Sequence, residues 1–141
     1  MKRIRFVQMD VFTGRPLAGN PLCVVPDAQG LDASEMQAIA REMNLSESTF
    51  VLPPTTPGAT YRMRIFTPGA ELPFAGHPSV GTAVALAEEG MLPLAGPVTT
   101  VHQEVAIGVL PIEVHFDGER VTRAVMTQGE PRLEEPWGAV G

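Results

Sequence analysis

The chain has 141 residues, 44% of them apolar and 18% charged, which suits one globular domain with its own core and disfavours a disordered chain. A formal net charge of −6, with no basic cluster beyond the amino terminus, argues against a nucleic-acid partner. No apolar run approaches the roughly 18 residues that a membrane span needs, and no signal peptide opens the chain, so we expect a cytoplasmic protein without a membrane partner.

The first half of the chain predicts several strands and one helix. The strand segments are 4–12, 22–25, 48–52 and 60–67. The helix follows Asp32, whose pairing with Glu35 three residues later is an acidic variant of the capping box, and it ends near Asn44. In the segment 60–67, every second residue from Tyr61 is apolar, which predicts one buried face and one mostly solvated face.

The second half predicts a helix over 78–89, with Gly90 as its carboxyl-terminal cap. A strand over 105–116 follows, and Asp117-Gly118 is typical of a hairpin turn before a last strand at 121–127. Strands outnumber helices and come in hairpin-like pairs, which favours an α+β fold. We expect a curved, mostly antiparallel sheet wrapped around a central helix, in one lobe over 1–127. The tail over 128–141, rich in Pro, Glu and Gly, resembles a linker.

Cysteine and histidine usage argues against a metal site. Cys23 is the one cysteine, so an internal disulfide and a cysteine-based zinc site are excluded, and its apolar surroundings predict a buried, inert thiol. The three histidines show no H-x-x-x-H spacing. His102 and His115 have no neighbouring ligand pattern, and His115 is expected on the outer face of a strand.

The stretch FAGHPSVGTA, residues 74–83, has the composition of a binding site. Pro78 suits the first position of a helix, which would put His77 at or beside the N-cap. A helix amino terminus offers unpaired N–H groups and a positive dipole end, and Gly76 would let a ligand approach closely. An anion pocket and a simple helix cap both fit the local sequence.

Two further interpretations concern single residues. Gly76-x4-Gly81-Thr82 copies part of a phosphate-binding loop, but Thr82 stands where the lysine should be, which removes the main phosphate contact. Glu47 is the one acid in the stretch NLSESTF, residues 44–50, at a helix-to-strand junction. It fits either a general base or a solvated turn residue.

Three segments taken together carry a family resemblance. They are DVFTGRPLAGNPLCVV (10–25), IAREMNLSESTFVL (39–52) and RIFTPGAELPFAGHPSVGTAVAL (64–86). In this order and spacing they resemble the PhzF-like isomerases of phenazine biosynthesis, which share the diaminopimelate epimerase fold. The resemblance covers nearly the whole chain and implies a fold of two similar lobes, each a sheet curled around a helix, with the active site in the cleft between them.

The resemblance also implies roles for residues. Glu47 matches the family's catalytic acid/base, which moves a proton on and off carbon. Ser46, Gly76 and His77 match positions that line the substrate pocket, where the glycine backbone and the histidine would meet a substrate carboxylate. The related epimerases use a pair of cysteines, but here Ala75 stands at one of those positions and Cys23 lies elsewhere. A proton shift by one carboxylate is therefore expected, on a small carboxylate substrate and without a cofactor.

The second-lobe motif of the family, of the form DPATGS, does not occur in this sequence. We therefore expect the second lobe to be a separate chain, or a second copy of this chain in a homo-oligomer, or else this chain to be a fragment. Any of these predicts association through an apolar face. The alternative function is a non-catalytic module that binds small carboxylates or serves assembly.

Overall fold

The computed structural model describes residues 3–11, 20–117 and 120–126. Phe12, the predicted turn at 13–16, Gly118 and the tail at 128–141 lie outside these ranges. The strands are β1 (Val7–Val11), β2 (Asn20–Val25), β3 (Glu47–Leu52), β4 (Tyr61–Phe66), β5 (Glu71–Leu72), β6 (Val98–Val105), β7 (Gly108–Asp117) and β8 (Arg120–Met126). The helices are α1 (Ala33–Met43) and α2 (Gly76–Glu88).

One mixed sheet holds all of these strands, in the order β1-β2-β3-β4-β6-β7-β8, with β5 paired to β4. The pairs β2–β3 and β4–β6 are parallel, and the other five are antiparallel. A parallel pair needs a crossover connection, and here α1 joins β2 to β3 while α2 lies between β4 and β6 in the chain. The predicted α+β fold, a curved and mostly antiparallel sheet around a helix, is confirmed.

The two helices lie on opposite faces of the sheet. Helix α2 contacts strands from β1 to β8, and ten of its 13 residues are buried, so it forms the centre of the larger core. Helix α1 covers the other face, where Met36 and Ala40 pack on Cys23 and Phe50. Neither helix is long and apolar enough to cross a membrane, and the same holds throughout the described ranges.

Both ends of α1 form as the sequence predicts. The Asp32 carboxylate accepts a 2.8 Å hydrogen bond from the amide of Glu35, and the Glu35 carboxylate accepts a 3.0 Å bond from the amide of Asp32. This reciprocal pair satisfies two amides that the helix leaves unpaired. At the other end, Asn44 takes a left-handed conformation with φ of 54°.

The predicted start of α2 is wrong by two residues. The helix begins at Gly76 after Ala75 as N-cap, so His77 and Pro78 are its second and third residues. Proline remains tolerated there, because none of the first amides of a helix has a partner within the helix. The predicted glycine cap is confirmed: Gly90 has φ of 74°, its amide bonds to the Ala87 carbonyl, and the next amide bonds to the Leu86 carbonyl.

The predicted strand over 105–116 corresponds to β7, preceded by the last residue of β6. Strand β6 ends at Val105 and β7 begins at Gly108, so a turn of two residues joins them. Most of β6 was missed. Gly108 has φ of 143°, a backbone conformation that favours glycine and allows this turn. The predicted hairpin after β7 is confirmed by the antiparallel pairing of Asp117 with Arg120.

The alternation in β4 is confirmed on one face only. Tyr61, Met63 and Ile65 are buried toward α2, as predicted. On the other face Phe66 is also buried, because α1 covers this end of the strand. Its ring packs edge to face on that of Phe50, with centroids 5.5 Å apart. That face is therefore solvated less than the alternation predicts.

Candidate active site

Glu47 is the first residue of β3 and lies directly after the turn that ends α1. It pairs with Leu22 of β2 in the parallel register, which places it beside the segment Asn20-Pro21 at the start of β2. Side chains alternate along a strand, so Glu47 shares a face with Thr49 and Val51. Val51 belongs to the core around α2, so this face looks toward that helix.

His77 lies in the first turn of α2 and is 7% exposed. No side chain caps this end of the helix, and no acidic residue lies within its first turn. The positive end of the helix dipole therefore lies next to the imidazole. Such an end attracts a carboxylate.

The structure brings Glu47 and His77 together although 30 positions separate them. Their Oε1 and Nε2 atoms lie 2.6 Å apart. The side chains are 15% and 8% exposed respectively, so the carboxylate is the more accessible of the two. Carboxylate and imidazole side chains are common proton-transfer groups in enzymes, and this pair lies at a helix amino terminus.

The other two predicted site residues flank this pair. Ser46 directly precedes Glu47 and is exposed. Gly76, the first residue of α2, is buried. All four predicted residues thus lie at one end of the β3–α2 contact, since each is adjacent in sequence to Glu47 or His77. Their roles in binding or catalysis remain predictions.

Thr49 and Thr82 form a contact that the sequence did not predict. Their hydroxyl groups share a 2.8 Å hydrogen bond between β3 and α2, and both residues are fully buried. Thr82 therefore belongs to the interior, which does not agree with a phosphate-loop role for this segment. The only signal in the sequence was a hydroxyl residue in each of the two motifs.

A second buried polar group was also missed. The side-chain amide of Gln103 on β6 donates to the Tyr61 hydroxyl at 2.7 Å and to the Ser79 carbonyl at 3.1 Å. Ser79 in turn donates from its hydroxyl to the Ala75 carbonyl at 2.9 Å. These bonds join the first turn of α2, which carries His77, to β4 and β6.

The remaining candidates, Cys23 and His115, lie on the face of the sheet opposite α2. Cys23 is fully buried under α1, and burial raises the pKa of its thiol to about 11. His115 contacts Glu113 at 3.2 Å on the face of β7 opposite the buried Ile112, as predicted. In the described ranges, no group of three or more His, Cys, Asp or Glu residues could hold a metal ion.

The sequence and the fold are similar to those of known proteins. The family model for phenazine biosynthesis-like proteins (PhzC-PhzF) matches residues 9–136. A trans-2,3-dihydro-3-hydroxyanthranilate isomerase of Pseudomonas aeruginosa is 44% identical over 130 residues, which are 92% of this chain and 44% of that protein. An uncharacterized isomerase of Mesorhizobium japonicum is 61% identical over 88 residues, which are 62% of this chain and 29% of that protein.

Solved structures agree with the sequence matches. The PhzF-family phenazine biosynthesis protein of Bacillus anthracis superposes with a TM-score of 0.74 at 41% identity, over 83% of this chain and 38% of that protein. A hydroxyproline epimerase of Agrobacterium vitis, at 17% identity, superposes with a TM-score of 0.71 over 88% of this chain and 41% of that protein. The latter likeness concerns the fold alone.

The chain spans less than half the length of these relatives. The family model nevertheless covers all of its described elements except the first residues of β1. The stretches that carry Glu47 and His77 both lie inside the matched range. The chain therefore belongs to the PhzC-PhzF family of phenazine biosynthesis-like proteins.

Proposed function

We propose that this chain forms the lobe of a PhzF-type isomerase that carries the acid/base residue. Glu47 moves a proton between two carbons of a small substrate that bears a carboxylate. The contact of 2.6 Å between Glu47 and His77, at the amino terminus of a buried helix, is the observation that carries the proposal. Relatives named as trans-2,3-dihydro-3-hydroxyanthranilate isomerases support a ring carboxylate as the substrate class.

The proposed step balances without a co-reactant. The Glu47 carboxylate takes a proton from one carbon, the electron pair of that C–H bond shifts a neighbouring double bond, and the same carboxyl group returns the proton to a second carbon. His77 contacts the carboxylate and holds it in place. A base fixed in this way acts on carbon more effectively than a mobile one.

The helix terminus is suited to bind the substrate carboxylate. Gly76 and His77 belong to the first turn of α2, where the amide groups point toward the helix amino terminus. The helix dipole adds to the attraction for an anion. Ser46 is exposed next to Glu47 and offers a hydroxyl group to the same ligand.

We further propose that turnover needs a second lobe to close the cleft. The relatives are more than twice as long as the matched segment, since it makes up 44% of the Pseudomonas aeruginosa isomerase. The second lobe is then supplied by a further segment of a longer protein of which this chain is a fragment, by another polypeptide or by a second copy of this chain. A closed cleft would exclude water from the carbon that Glu47 deprotonates.

The test uses trans-2,3-dihydro-3-hydroxyanthranilate in deuterated buffer, with deuterium incorporation into carbon followed by NMR. Glu47→Gln should reduce the incorporation at least about 100-fold, because the amide cannot accept the proton. Glu42→Gln, an exposed substitution on α1, is the matched control and should keep the parental rate. Equal and measurable rates for Glu47→Gln and the parent, in an assembly that incorporates deuterium, would show that Glu47 is not the base.

A thermal-shift titration with the same compound, combined with light scattering, separates the enzyme from the carboxylate-binding module. Stabilisation without deuterium incorporation in any oligomeric state would favour the binding module. The absence of both stabilisation and deuterium incorporation would count against both functions. Incorporation only in a dimer, or after a second-lobe chain is added, would support the two-lobe requirement.

A further inference from the structure

The hydrogen bond between Thr49 and Thr82 joins the two elements that carry the site. Thr49 lies two residues after Glu47 on the same face of β3. Thr82 lies five residues after His77 on α2. The Glu47–His77 and Thr49–Thr82 contacts therefore both join β3 to α2, two residues apart on the strand and somewhat more than one turn apart on the helix.

The surroundings of the hydroxyl pair make it a directional contact. Small and aliphatic residues form much of the buried surface of α2, among them Ala83, Ala85 and Leu86. Contacts between such side chains have no preferred hydrogen-bond direction, so they constrain the register of the helix by shape alone. A buried hydroxyl pair requires a narrow range of distance and angle, because each group would otherwise lack a partner.

We propose that Thr49 and Thr82 are positioning residues that fix the register of α2 on β3 and thereby hold His77 against Glu47. The consequence for catalysis rests on the function proposed above. The positioning itself rests on the 2.8 Å bond and on the complete burial of both residues. Neither threonine takes part in the proton transfer.

Valine substitutions separate positioning from stability. Thr49→Val or Thr82→Val leaves one buried hydroxyl without a partner, and we expect each to lower the Tm by about 3–8 °C. The double variant removes both hydroxyl groups and replaces them with groups of the same shape, so its Tm should rise again toward the parental value. The register of the helix should nevertheless remain altered, because the directional contact is gone.

The imidazole NMR signals of His77 report the register without any need for turnover. The chain has three histidines, so His102 and His115 serve as internal references in the same spectrum. We expect all three valine variants to move the His77 signals at a fixed pH and to leave the other two in place. Thr49→Ser keeps a hydroxyl group and should keep the parental His77 signals.

Ile112→Val is the control for loss of stability. Ile112 is fully buried on β7, with β4 and β6 between its strand and β3, and its truncation should lower the Tm without moving the His77 signals. The proposal is overturned if the double valine variant shows parental His77 signals. It is also overturned if Ile112→Val or Thr49→Ser moves those signals as far as Thr49→Val does.

Kinetic measurements on the assembled protein then distinguish this inference from the proposed function. Thr49→Val should lower kcat about 10- to 100-fold with KM unchanged, because a misplaced base affects the chemical step. Deuterium incorporation that is unaffected by Glu47→Gln would refute the proposed function, while the NMR result would still decide the positioning role.

Discussion

The side-chain amide of Gln103 donates a 2.7 Å hydrogen bond to the hydroxyl of Tyr61 in the core around α2. Tyr61 is 5% exposed, and burial raises the pKa of its phenol above the ordinary value of 10.0. The hydrogen bond from Gln103 opposes this effect but is the weaker of the two causes. The folded protein therefore holds the phenol proton more tightly than the unfolded chain does.

This relationship predicts the alkaline behaviour of the protein. Because the folded pKa is raised, the stability that the neutral phenol confers is complete below pH 10 and is lost as pH rises further. Tyr61 is the one tyrosine, so absorbance near 295 nm reports its ionisation alone. We expect no phenolate signal until circular dichroism shows unfolding. A reversible titration close to pH 10 in a folded protein would contradict this.

The lowered pKa of Glu104 predicts how the stability of the protein responds to acid. Hydrogen bonds, first from the Thr55 hydroxyl and then from the amides of Thr55 and Thr56, lower the pKa of this carboxyl from 4.5 to about 2. The stability it confers is complete above pH 4.5 and is lost as pH falls toward 2. We expect the Tm to fall across this interval.

Glu104→Gln tests that assignment. It should lower the free energy of unfolding at pH 7 by about 1–3 kcal/mol and flatten the acid part of the Tm profile. Glu88→Gln, an exposed change at the end of α2, should keep the parental profile. Equal profiles for both variants would show that Glu104 does not cause the acid response.

Cys23 provides a probe of local opening. The thiol is fully buried and its pKa is raised to about 11, so a thiolate is scarce in the folded state. We expect a disulfide reagent such as DTNB to label the native protein only as fast as the α1 layer opens. In concentrated guanidinium chloride one thiol should react at once. Rapid labelling of the folded chain would show that α1 does not shield Cys23.

The capping box of α1 gives a prediction about stability. Asp32→Ala removes the acceptor for the Glu35 amide and should cost about 1 kcal/mol of unfolding free energy. Ser34→Ala, an exposed change in the same turn, should stay within about 0.5 kcal/mol of the parent. Denaturant titrations of the two variants provide the measurement. Equal denaturation midpoints for the two variants would mean that the capping box contributes little to the stability of the protein.

Local signals in the sequence predicted the features that depend on neighbouring residues. Asp32 and Glu35 are three positions apart, and Gly90 directly follows the end of its helix, so a cap at each place follows from the chain alone. The start of α2 does not follow from the chain alone, because Pro78 fits any position of the first turn. The family resemblance indicated Glu47 and His77, but it gave no contact between them.

Strand β6 was missed because its inward-facing residues include a polar one. Gln103 lies between Val101 and Val105 on the buried side, which breaks the alternation of apolar and polar residues. The contacts with Tyr61 and Ser79 satisfy the NH2 group of this buried side chain, and both partners are distant in the sequence. The hydroxyl pair of Thr49 and Thr82 escaped prediction for the same reason.

Helix α2 precedes three of the strands that surround it along the chain, and this order affects how the protein folds during translation. Its last residue is Glu88, yet it packs on β8, which ends at Met126. While the chain is being translated, both Glu47 and His77 leave the ribosome before the sheet that encloses their helix is complete. The site therefore matures late, and a nascent chain stalled before β8 would expose the apolar sides of α2 to chaperones.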